Sequence, residues 1–386
     1  MTQAYIVAAA RTAGGRRKGA LAGVHPADLG ATVLDALVAR SGIDPAVIDD
    51  VIMGCVTQAG EQSFAFGRNC VLASSLPDSV PAVTIDRQCG SSQQAVQFAM
   101  QAVMSGTQDV VIAAGTESMT RVPMFSNAAL HAKAGIGIGP FPPSVQQRYG
   151  VETFSQFVGA QMIADKYGFS REDMDRFALA SHRKAAAAIE AGAFVDEIVP
   201  VETENGTFAQ DEGVRFDASL EKIGSLDPLV EGGSITAANA SQVSDGSSGV
   251  LIVNEGALKQ YGLTPIARIL HASVSAGDPV IMLEEPIAAT RKALAKAGMT
   301  LDDIDLFEVN EAFASVPMAW LRATGADPAK LNVNGGAIAL GHPLGASGTK
   351  LLTTMIHALK AQGGRYGLQT MCEGGGIANV TIVEAM

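Results

Sequence analysis

The stretch Ala39-Arg40-Ser41-Gly42, followed by Ile48-Asp49, recurs later in the chain as Ala295-Lys296-Ala297-Gly298 and Ile304-Asp305. Both matches have the same offset of 256 residues, since 298 minus 42 and 305 minus 49 give the same number. Repeats at one fixed offset indicate a structural unit that occurs twice. The sequence therefore predicts two copies of one fold.

The same offset relates two predicted helix starts, Ser91 and Ser347. A middle portion of the chain has no counterpart, and insertions of this length often build binding sites. The predicted units are an N-terminal half of residues 1–119 plus 244–265, an inserted lobe of residues 120–243, and a C-terminal half of residues 266–386.

Short apolar runs alternate with segments of helical spacing. The predicted strands are Tyr5–Ala9, Val51–Met53, Val110–Ala114, Val250–Val253, Ala267–Leu270 and Leu306–Val309. The predicted helices are Leu29–Ser41, Ser91–Ser105, Val158–Tyr167, Arg171–Ala191, Pro286–Ala297 and Ala346–Lys360. This alternation predicts an α/β fold in which helices cover mostly parallel sheets.

The 386 residues include 27 basic and 39 acidic side chains, a formal net charge of −12. This balance argues against nucleic acid or an anionic membrane as the main partner. No apolar run approaches the roughly 18 residues that span a bilayer, so membrane insertion is not expected. The 42 glycines are about 11% of the chain, against an ordinary share of about 7%, which indicates glycine at special backbone positions.

Four cysteines, Cys55, Cys70, Cys89 and Cys372, lie far apart without a C-x-x-C pair. This spacing excludes a zinc ribbon, and no metal site is expected. The apolar run Ala4–Ala10 is too short for a signal peptide and has no basic residue before it, so we interpret it as a strand. The expected compartment is a reducing cytoplasm without disulfides.

Cys89 lies between a strand-like run and the helix that begins at Ser91. A thiol at this turn would be near the positive end of the helix dipole, which favours thiolate, and near backbone N–H donors. A buried structural cysteine is an equally good interpretation of position alone. Cys55 and Cys70 lack such flanking residues, and for them the structural interpretation is favoured.

Five glycines surround His342 between Asn332 and Gly348. The spacing of a phosphate-binding loop is present, but His342-Pro343 stands where Lys-Ser/Thr is required, so that interpretation fails. A loop with this many glycines packs its backbone closely around an imidazole. This favours a functional histidine over one that only fills the core.

Two further segments carry polar groups. Cys372-Glu373-Gly374-Gly375-Gly376 offers a thiol and backbone N–H groups that could bind an oxyanion, although a flexible turn is an equal alternative. Asn310 follows a predicted strand, where an ordinary helix cap is by itself the favoured interpretation. Together with Cys89 and His342, these segments indicate covalent acyl transfer through a cysteine thioester.

The segments together resemble the thiolase family, acyl-CoA acyltransferases that cleave or form 3-ketoacyl-CoA. The resemblance spans essentially the whole chain. The matching motifs are Ile6-Val7-Ala8-Ala9-Ala10-Arg11-Thr12, Cys89-Gly90-Ser91, Asn310-Glu311-Ala312-Phe313, Gly341-His342-Pro343 and Cys372-Glu373-Gly374-Gly375-Gly376. The family fold has two duplicated α/β halves with stacked mixed sheets and an added loop domain, in agreement with the repeat.

The resemblance implies a role for each matching residue. Cys89 corresponds to the nucleophile that becomes acyl-cysteine, and His342 to the base that activates it. Cys372 corresponds to the acid/base that protonates the leaving enolate or removes the α-proton. Asn310 corresponds to the residue that holds a water in one oxyanion hole beside His342, and the N–H groups of Cys89 and Gly374 correspond to a second hole.

The resemblance also implies substrate contacts. Ser241 corresponds to a serine that faces the pantetheine arm, and Met282 and Phe313 to apolar pocket positions. Arg215 lies where the family often has a nucleotide-contacting arginine, although a surface arginine is an equal alternative. Coenzyme A and acyl-CoA are expected as substrates with no permanently bound cofactor, and the expected assembly is a homodimer or homotetramer.

One segment departs from part of the family. Short-chain biosynthetic members have a His-Met pair where this chain reads Ser155-Gln156-Phe157. The cysteine motifs look more like those of degradative thiolases of steroid and lipid catabolism, so thiolysis of a larger or branched 3-ketoacyl-CoA is expected. The alternatives are a biosynthetic acetyl-CoA acetyltransferase, a decarboxylating β-ketoacyl synthase, which the second cysteine disfavours, and a catalytically silent lipid-binding protein, which the intact motifs disfavour.

Overall fold

The computed structural model describes residues 2–386. Its strands are β1 (Ala4–Thr12), β2 (Gly15–Arg16), β3 (Asp50–Gly54), β4 (Ala82–Ile85), β5 (Val110–Ser118), β6 (Ile198–Val199), β7 (Val201–Thr203), β8 (Gly206–Phe208), β9 (Ser244–Asn254), β10 (Ala267–Ala276), β11 (Leu306–Val309), β12 (Tyr366–Glu373) and β13 (Ile377–Ala385). Its α-helices are α1 (Pro26–Ser41), α2 (Phe66–Ala73), α3 (Ser91–Ser105), α4 (Ser126–Ala134), α5 (Pro143–Tyr149), α6 (Gln156–Tyr167), α7 (Arg171–Glu190), α8 (Leu220–Gly224), α9 (Glu255–Tyr261), α10 (Pro286–Ala297), α11 (Ser315–Thr324), α12 (Ala337–Leu340) and α13 (Ser347–Gln362).

The sequence repeat corresponds to a repeat of structure. Three pairs of elements begin 256 residues apart: β3 and β11, α3 and α13, and β5 and β12. The strand register follows the same offset, because Asp50 of β3 faces Val111 and Leu306 of β11 faces Gly367. The α/β architecture with a duplicated unit is therefore confirmed, and we propose the boundaries given above for the two halves and the inserted lobe.

Eleven strands form one sheet in the order β11-β12-β13-β10-β1-β9-β5-β3-β4, with β2 beside β9 and β6 beside β1. The two halves join edge to edge, where Ala4–Ile6 of β1 pair with Ala267–Ile269 of β10. The prediction of mostly parallel strands is wrong, since β9 and β13 are antiparallel to their neighbours. The reason at β13 is the short turn Gly374–Gly376, because parallel neighbours need a long crossover.

Helices α3 and α13 lie at the centre of the molecule. Apolar side chains from both pack into one core cluster together with strands of both halves. The first turns approach so closely that a Cβ on Gly348 would collide with the backbone nitrogen of Gln93. Ser92 Oγ accepts the N–H of Thr349 at 3.0 Å across this crossing. The start of each central helix is therefore fixed by the other.

The segment between β5 and β9 carries helices α4–α8 and the hairpin β7–β8. The acidic stretch near 202–217 begins within this hairpin. This segment is tied to β1 by Arg11, which forms buried ion pairs with Glu197 and Asp211. Within residues 2–386, no helix combines the length and the apolar character needed to cross a bilayer.

We expect Gly348→Ala to lower the free energy of unfolding by about 1–3 kcal/mol, because the added methyl group overpacks a contact between two backbones. Urea denaturation measures this change. Gly224→Ala is the matched control, since Gly224 also lies in a helix but has open space around its Cα. Equal stability of the two variants would contradict the close crossing.

Candidate active site

Cys89 lies in the sharp turn between β4 and α3. The residue before it, Gln88, has φ +46°, a left-handed conformation that costs a non-glycine residue about 1–3 kcal/mol. Ser91 fixes this turn, since its Oγ accepts the N–H of Arg87 at 2.9 Å and donates to the carbonyl oxygen of Gln88 at 2.6 Å. The predicted strand-to-helix turn at Cys89 is therefore present and backbone-strained.

The hydrogen bonds of His342 determine which nitrogen can act as a base. The Ser347 hydroxyl donates its hydrogen to the carbonyl oxygen of Pro343 at 2.8 Å. The same hydroxyl lies 2.5 Å from His342 Nδ1, so Nδ1 carries the imidazole hydrogen and donates it to Ser347. Nε2 then carries the lone pair and accepts a hydrogen bond from Asn310 Nδ2 at 3.3 Å. Nε2 is the nitrogen that can accept a proton.

The imidazole is neutral at physiological pH. Burial, with an added contribution from the nearby Lys350 ammonium, lowers the pKa of His342 to about 3. Only 3% of the residue is exposed. A neutral imidazole can take a proton from a neighbouring thiol, whereas an imidazolium cannot.

Cys372 is buried at the end of β12, directly before the last residue of the strand, Glu373. The turn that follows, Gly374–Gly376, packs on the turn that carries Cys89. A Cβ on Gly374 would lie 2.9 Å from Gln88 Oε1, and a Cβ on Gly90 would collide with the carboxyl group of Glu373. Leu344, two residues after His342, packs with Cys89 in a small apolar cluster. Three separate loops thus meet at Cys89.

Both thiols are protonated in the resting protein. Burial and, to a smaller extent, Glu373 raise the pKa of Cys89 to about 12. Burial, followed by the proximity of Cys89, raises the pKa of Cys372 well above its usual range. The expectation of a thiolate favoured by the helix dipole is therefore not met, because desolvation of the charged form outweighs the dipole.

Asn310 is not a helix cap. Its N–H donates to the carbonyl oxygen of Thr370 at 3.1 Å, which extends the pairing of β11 with β12, and the next helix, α11, begins only at Ser315. Its side chain is 1% exposed, and Oδ1 has no hydrogen-bond partner among the described residues. A buried polar atom of this kind commonly binds a water or ligand.

Two buried carboxyl groups hold the loops around the thiols. Glu117 accepts the N–H groups of Val56 at 2.8 Å and Gly345 at 2.9 Å, which links the end of β3 to the His342 loop. Glu311 accepts Ser181 Oγ at 2.6 Å and the N–H of Ile338 at 3.2 Å.

The N–H groups of Cys89 and Gly374 are free. Within residues 2–386, neither N–H donates to a protein oxygen. Free N–H groups beside a nucleophile can stabilise an oxyanion. This geometry is compatible with the second oxyanion hole that the resemblance implies.

The residues predicted to contact substrate range from buried to exposed. Ser241 N–H donates to the carbonyl oxygen of Ala312 at 2.8 Å, next to Phe313. Phe313 and Met282 belong to the same apolar cluster as Cys372. Arg215 is exposed, and its N–H donates to His182 Nδ1 at 3.1 Å.

Within the described residues, no group of three or more His, Cys, Asp or Glu side chains could hold a metal ion. Cys55 and Cys70 are completely buried. A Cβ on Gly30 would lie 2.5 Å from Cys70 Sγ, so this sulfur fills the contact between α1 and α2. Both cysteines match the structural interpretation.

The structure brings together the segments that carry five predicted residues: Cys89, His342, Cys372, Asn310 and Gly374. Sequence reasoning missed Ser347 and Glu117 as partners of this site. The sequence contained one signal for Ser347, since this residue repeats Ser91 at the 256-residue offset. In the structure each of the two serines donates to a carbonyl oxygen in the turn before its own helix. Glu117 had the same kind of signal, because it repeats Glu373 at this offset, but its partner Gly345, 228 residues away, could not be predicted from it.

We expect alkylation of Cys89 by iodoacetamide to accelerate with pH and not to level off near neutrality, because its pKa is raised to about 12 and the thiolate is the reactive form. Quantitative mass spectrometry of the peptide that contains Cys89 measures the rate, with Cys89→Ser as the blank. A plateau at or below neutral pH would reveal a preformed thiolate–imidazolium pair instead.

Comparison with known proteins agrees with this geometry. The thiolase N-terminal domain family matches residues 4–256 and the thiolase C-terminal domain family matches residues 263–385. Steroid 3-ketoacyl-CoA thiolase FadA6 of Mycobacterium tuberculosis is 56% identical over 388 residues, which cover 100% of this chain and 95% of that protein. The 3-ketoacyl-CoA thiolase of Bacillus subtilis is 40% identical and the acetyl-CoA acetyltransferase of Escherichia coli 41% identical, each over 100% of both chains. Since the two family matches cover nearly the whole chain, this protein belongs to the thiolase family.

Proposed function

We propose that the protein is a CoA-dependent acyltransferase that cleaves a 3-ketoacyl-CoA with CoA to acetyl-CoA and a shortened acyl-CoA. The observation that carries this proposal is the meeting of Cys89, Cys372 and the neutral His342 on three loops. One thiol beside a base can form a thioester, and a second thiol can exchange a proton with carbon.

In the first half-reaction, Cys89 Sγ attacks the 3-keto carbon while His342 Nε2 takes the thiol proton. The bond between C2 and C3 breaks and leaves its electron pair on C2. Cys372 gives C2 a proton, so acetyl-CoA departs and the shortened acyl group remains on Cys89. The free N–H groups of Cys89 and Gly374 stabilise the oxyanion formed at C3, and His342 with Asn310 stabilises the enolate oxygen.

In the second half-reaction, the thiol of CoA gives its proton to the Cys372 thiolate. The CoA sulfur attacks the thioester carbon of acyl-Cys89, and Cys89 leaves as its sulfur takes the proton back from His342. Both cysteines and the imidazole return to their neutral resting forms. The buried, uncharged resting site is thus restored after each turnover.

A larger or branched acyl group fits the apolar side of the site. Ser155 caps α6 at the place where short-chain members have their His-Met pair. Phe157 packs edge-on against Phe313, with ring centroids 5.6 Å apart, and Met282 lies in the same apolar region. The 56% identity to a steroid 3-ketoacyl-CoA thiolase supports a bulky substrate. The 41% identity to an acetyl-CoA acetyltransferase supports acetoacetyl-CoA formation as the second candidate.

Coenzyme A is proposed as substrate, with its pantetheine arm at Ser241 and its nucleotide toward Arg215. A cleft of about 590 Å³ is lined in part by Ser219 and Leu220, which follow Arg215 by four and five residues in the chain. Its lining includes the basic side chains of Arg176, Arg183 and Lys184. Basic groups there can attract the phosphates of CoA, and no permanently bound cofactor is proposed.

A homodimer or homotetramer in the cytoplasm is proposed. Strand β4 ends the sheet with an unpaired edge, on which Val83 is 45% exposed, and Phe64 in the loop before α2 is 89% exposed. Exposed apolar side chains at a sheet edge favour association with another chain.

The proposed compartment and partners follow from composition. The four free cysteines fit a reducing compartment, and the net charge of −12 does not favour nucleic acid as a partner.

Incubation with acetyl-CoA should add an acetyl group to Cys89, detected by mass spectrometry, and Cys89→Ser should abolish the adduct. In Cys372→Ala we expect the adduct to persist while cleavage of a 3-ketoacyl-CoA falls by at least about 100-fold, the lower range for loss of a proton-transfer group. No adduct on the wild-type protein would refute the covalent mechanism, and unchanged turnover in Cys372→Ala would refute its acid/base role.

A panel of 3-ketoacyl-CoA substrates of increasing length and bulk tests the acyl pocket. We expect kcat/KM to rise from acetoacetyl-CoA to bulkier substrates. Replacement of Phe157 by Ala should alter this ranking by about 10-fold or more, because one or two apolar contacts are worth this much discrimination. Activity confined to acetoacetyl-CoA would favour the biosynthetic alternative.

A further inference from the structure

Lys350 is a buried lysine next to the His342 loop. It lies one turn after Ser347 on α13 and is 5% exposed. Its Nζ donates to the carbonyl oxygens of Leu340 at 2.5 Å and Gly341 at 3.2 Å. These are the two carbonyls immediately before His342, so one helix face holds the loop backbone through Lys350 and the imidazole through Ser347.

The nearest carboxylates are engaged by another cation. Arg11 binds Asp211 with two parallel hydrogen bonds of 2.9 and 3.0 Å and binds Glu197 at 2.5 Å. Lys350 has no carboxylate oxygen within ion-pair distance in the described part of the chain. Its hydrogen bonds go to neutral carbonyls instead.

A buried ammonium is costly unless its hydrogen bonds are well made. Burial lowers the pKa of Lys350 to about 8, although Asp211 opposes this effect, so the ammonium persists at neutral pH. A neutral apolar side chain would avoid the desolvation cost but could not bind either carbonyl. We therefore look for the function of the Lys350 ammonium in the two loop carbonyls that it binds.

Other anchors hold the loop on either side of these two carbonyls, at Ile338 and, through Glu117, at Gly345. Gln242 Nε2 donates to the carbonyl oxygen of Ile338 at 2.8 Å, and the N–H of His342 donates to the carbonyl oxygen of Gln242 at 3.2 Å. Gly341 has φ +83°, which makes the backbone before His342 intrinsically pliable. Lys350 binds the peptide groups on which the direction of His342 depends.

We propose that Lys350 is a positioning residue for His342: its ammonium fixes the Leu340 and Gly341 peptide groups, and thereby keeps Nε2 directed into the site. This inference rests on the proposed function, which assigns His342 the role of base. The remaining groups that hold the imidazole, Ser347 and Asn310, are neutral. Lys350 is thus the charged group that binds the two peptide carbonyls immediately before His342.

The main test is Lys350→Met. We expect acetylation of Cys89 by acetyl-CoA to slow by about 100-fold, the loss that a displacement of about 1 Å can cause. KM for CoA should change by no more than about 2-fold, since the contacts proposed for CoA lie elsewhere. Lys350→Arg keeps a cation with hydrogen-bond donors and should recover most of the rate.

A second readout needs no substrate. Nitrogen-15 NMR of labelled histidine at neutral pH distinguishes the two imidazole tautomers, and His342→Asn identifies the signal. We expect the wild-type protein to hold His342 with hydrogen on Nδ1, and Lys350→Met to show a mixture of tautomers. If Lys350→Met does not fold, Lys350→Gln provides the same neutral replacement with one donor retained.

Thr354→Val is the matched control. Thr354 Oγ1 donates to Glu197 at 2.9 Å, so this variant perturbs the same buried charges without touching the His342 loop. Three outcomes would each overturn the inference. Lys350→Met could be acetylated at the wild-type rate, Lys350→Arg could be as slow as Lys350→Met, or Thr354→Val could lose as much of the acetylation rate as Lys350→Met. Failure of the wild-type protein to be acetylated would refute the proposed function, while the tautomer measurement would still test Lys350.

Discussion

The contact between the first turns of α3 and α13 is the constraint on which the rest of the structure depends. At this crossing backbone meets backbone, because Gly348 lies against Gln93 and Thr349 N–H bonds Ser92 Oγ. Cys89 precedes one of these helices and His342 precedes the other. The packing that closes the core therefore also sets the separation between the proposed nucleophile and its base.

Such a contact leaves little room for variation on either side. A Cβ on Gly54 would lie 2.6 Å from Ser92 N and 2.8 Å from the carbonyl oxygen of Gly345. A Cβ on Gly115 would collide with that same carbonyl oxygen. Part of the high glycine content is thus explained, because glycines line the crossing from α13, from the turn before it and from strands β3 and β5. Close packing of this kind fixes loops that are otherwise intrinsically flexible.

Much of the fold was predictable because it is encoded locally and then repeated. The spacing of apolar residues predicted α3 at Ser91–Ser105 and α10 at Pro286–Ala297 with the bounds observed. The pairing of β1 with β10 and the direction of β9 were not predictable, since they depend on contacts between distant segments. The catalytic motifs identified the candidate residues, but the protonation state of Cys89 required its burial, which no local pattern contains.

The two copies of the unit differ where chemistry is proposed. Glu117 and Glu373 occupy equivalent positions, 256 residues apart, as do Cys89 and Gly345. Each glutamate reaches the turn of the other copy. Glu117 accepts the N–H of Gly345 at 2.9 Å and satisfies the turn before α13, whereas Glu373 packs on the turn before α3 but does not bind the N–H of Cys89. One carboxyl group therefore closes a structural turn, whereas its counterpart leaves an N–H group free beside the thiol, where an oxyanion would form.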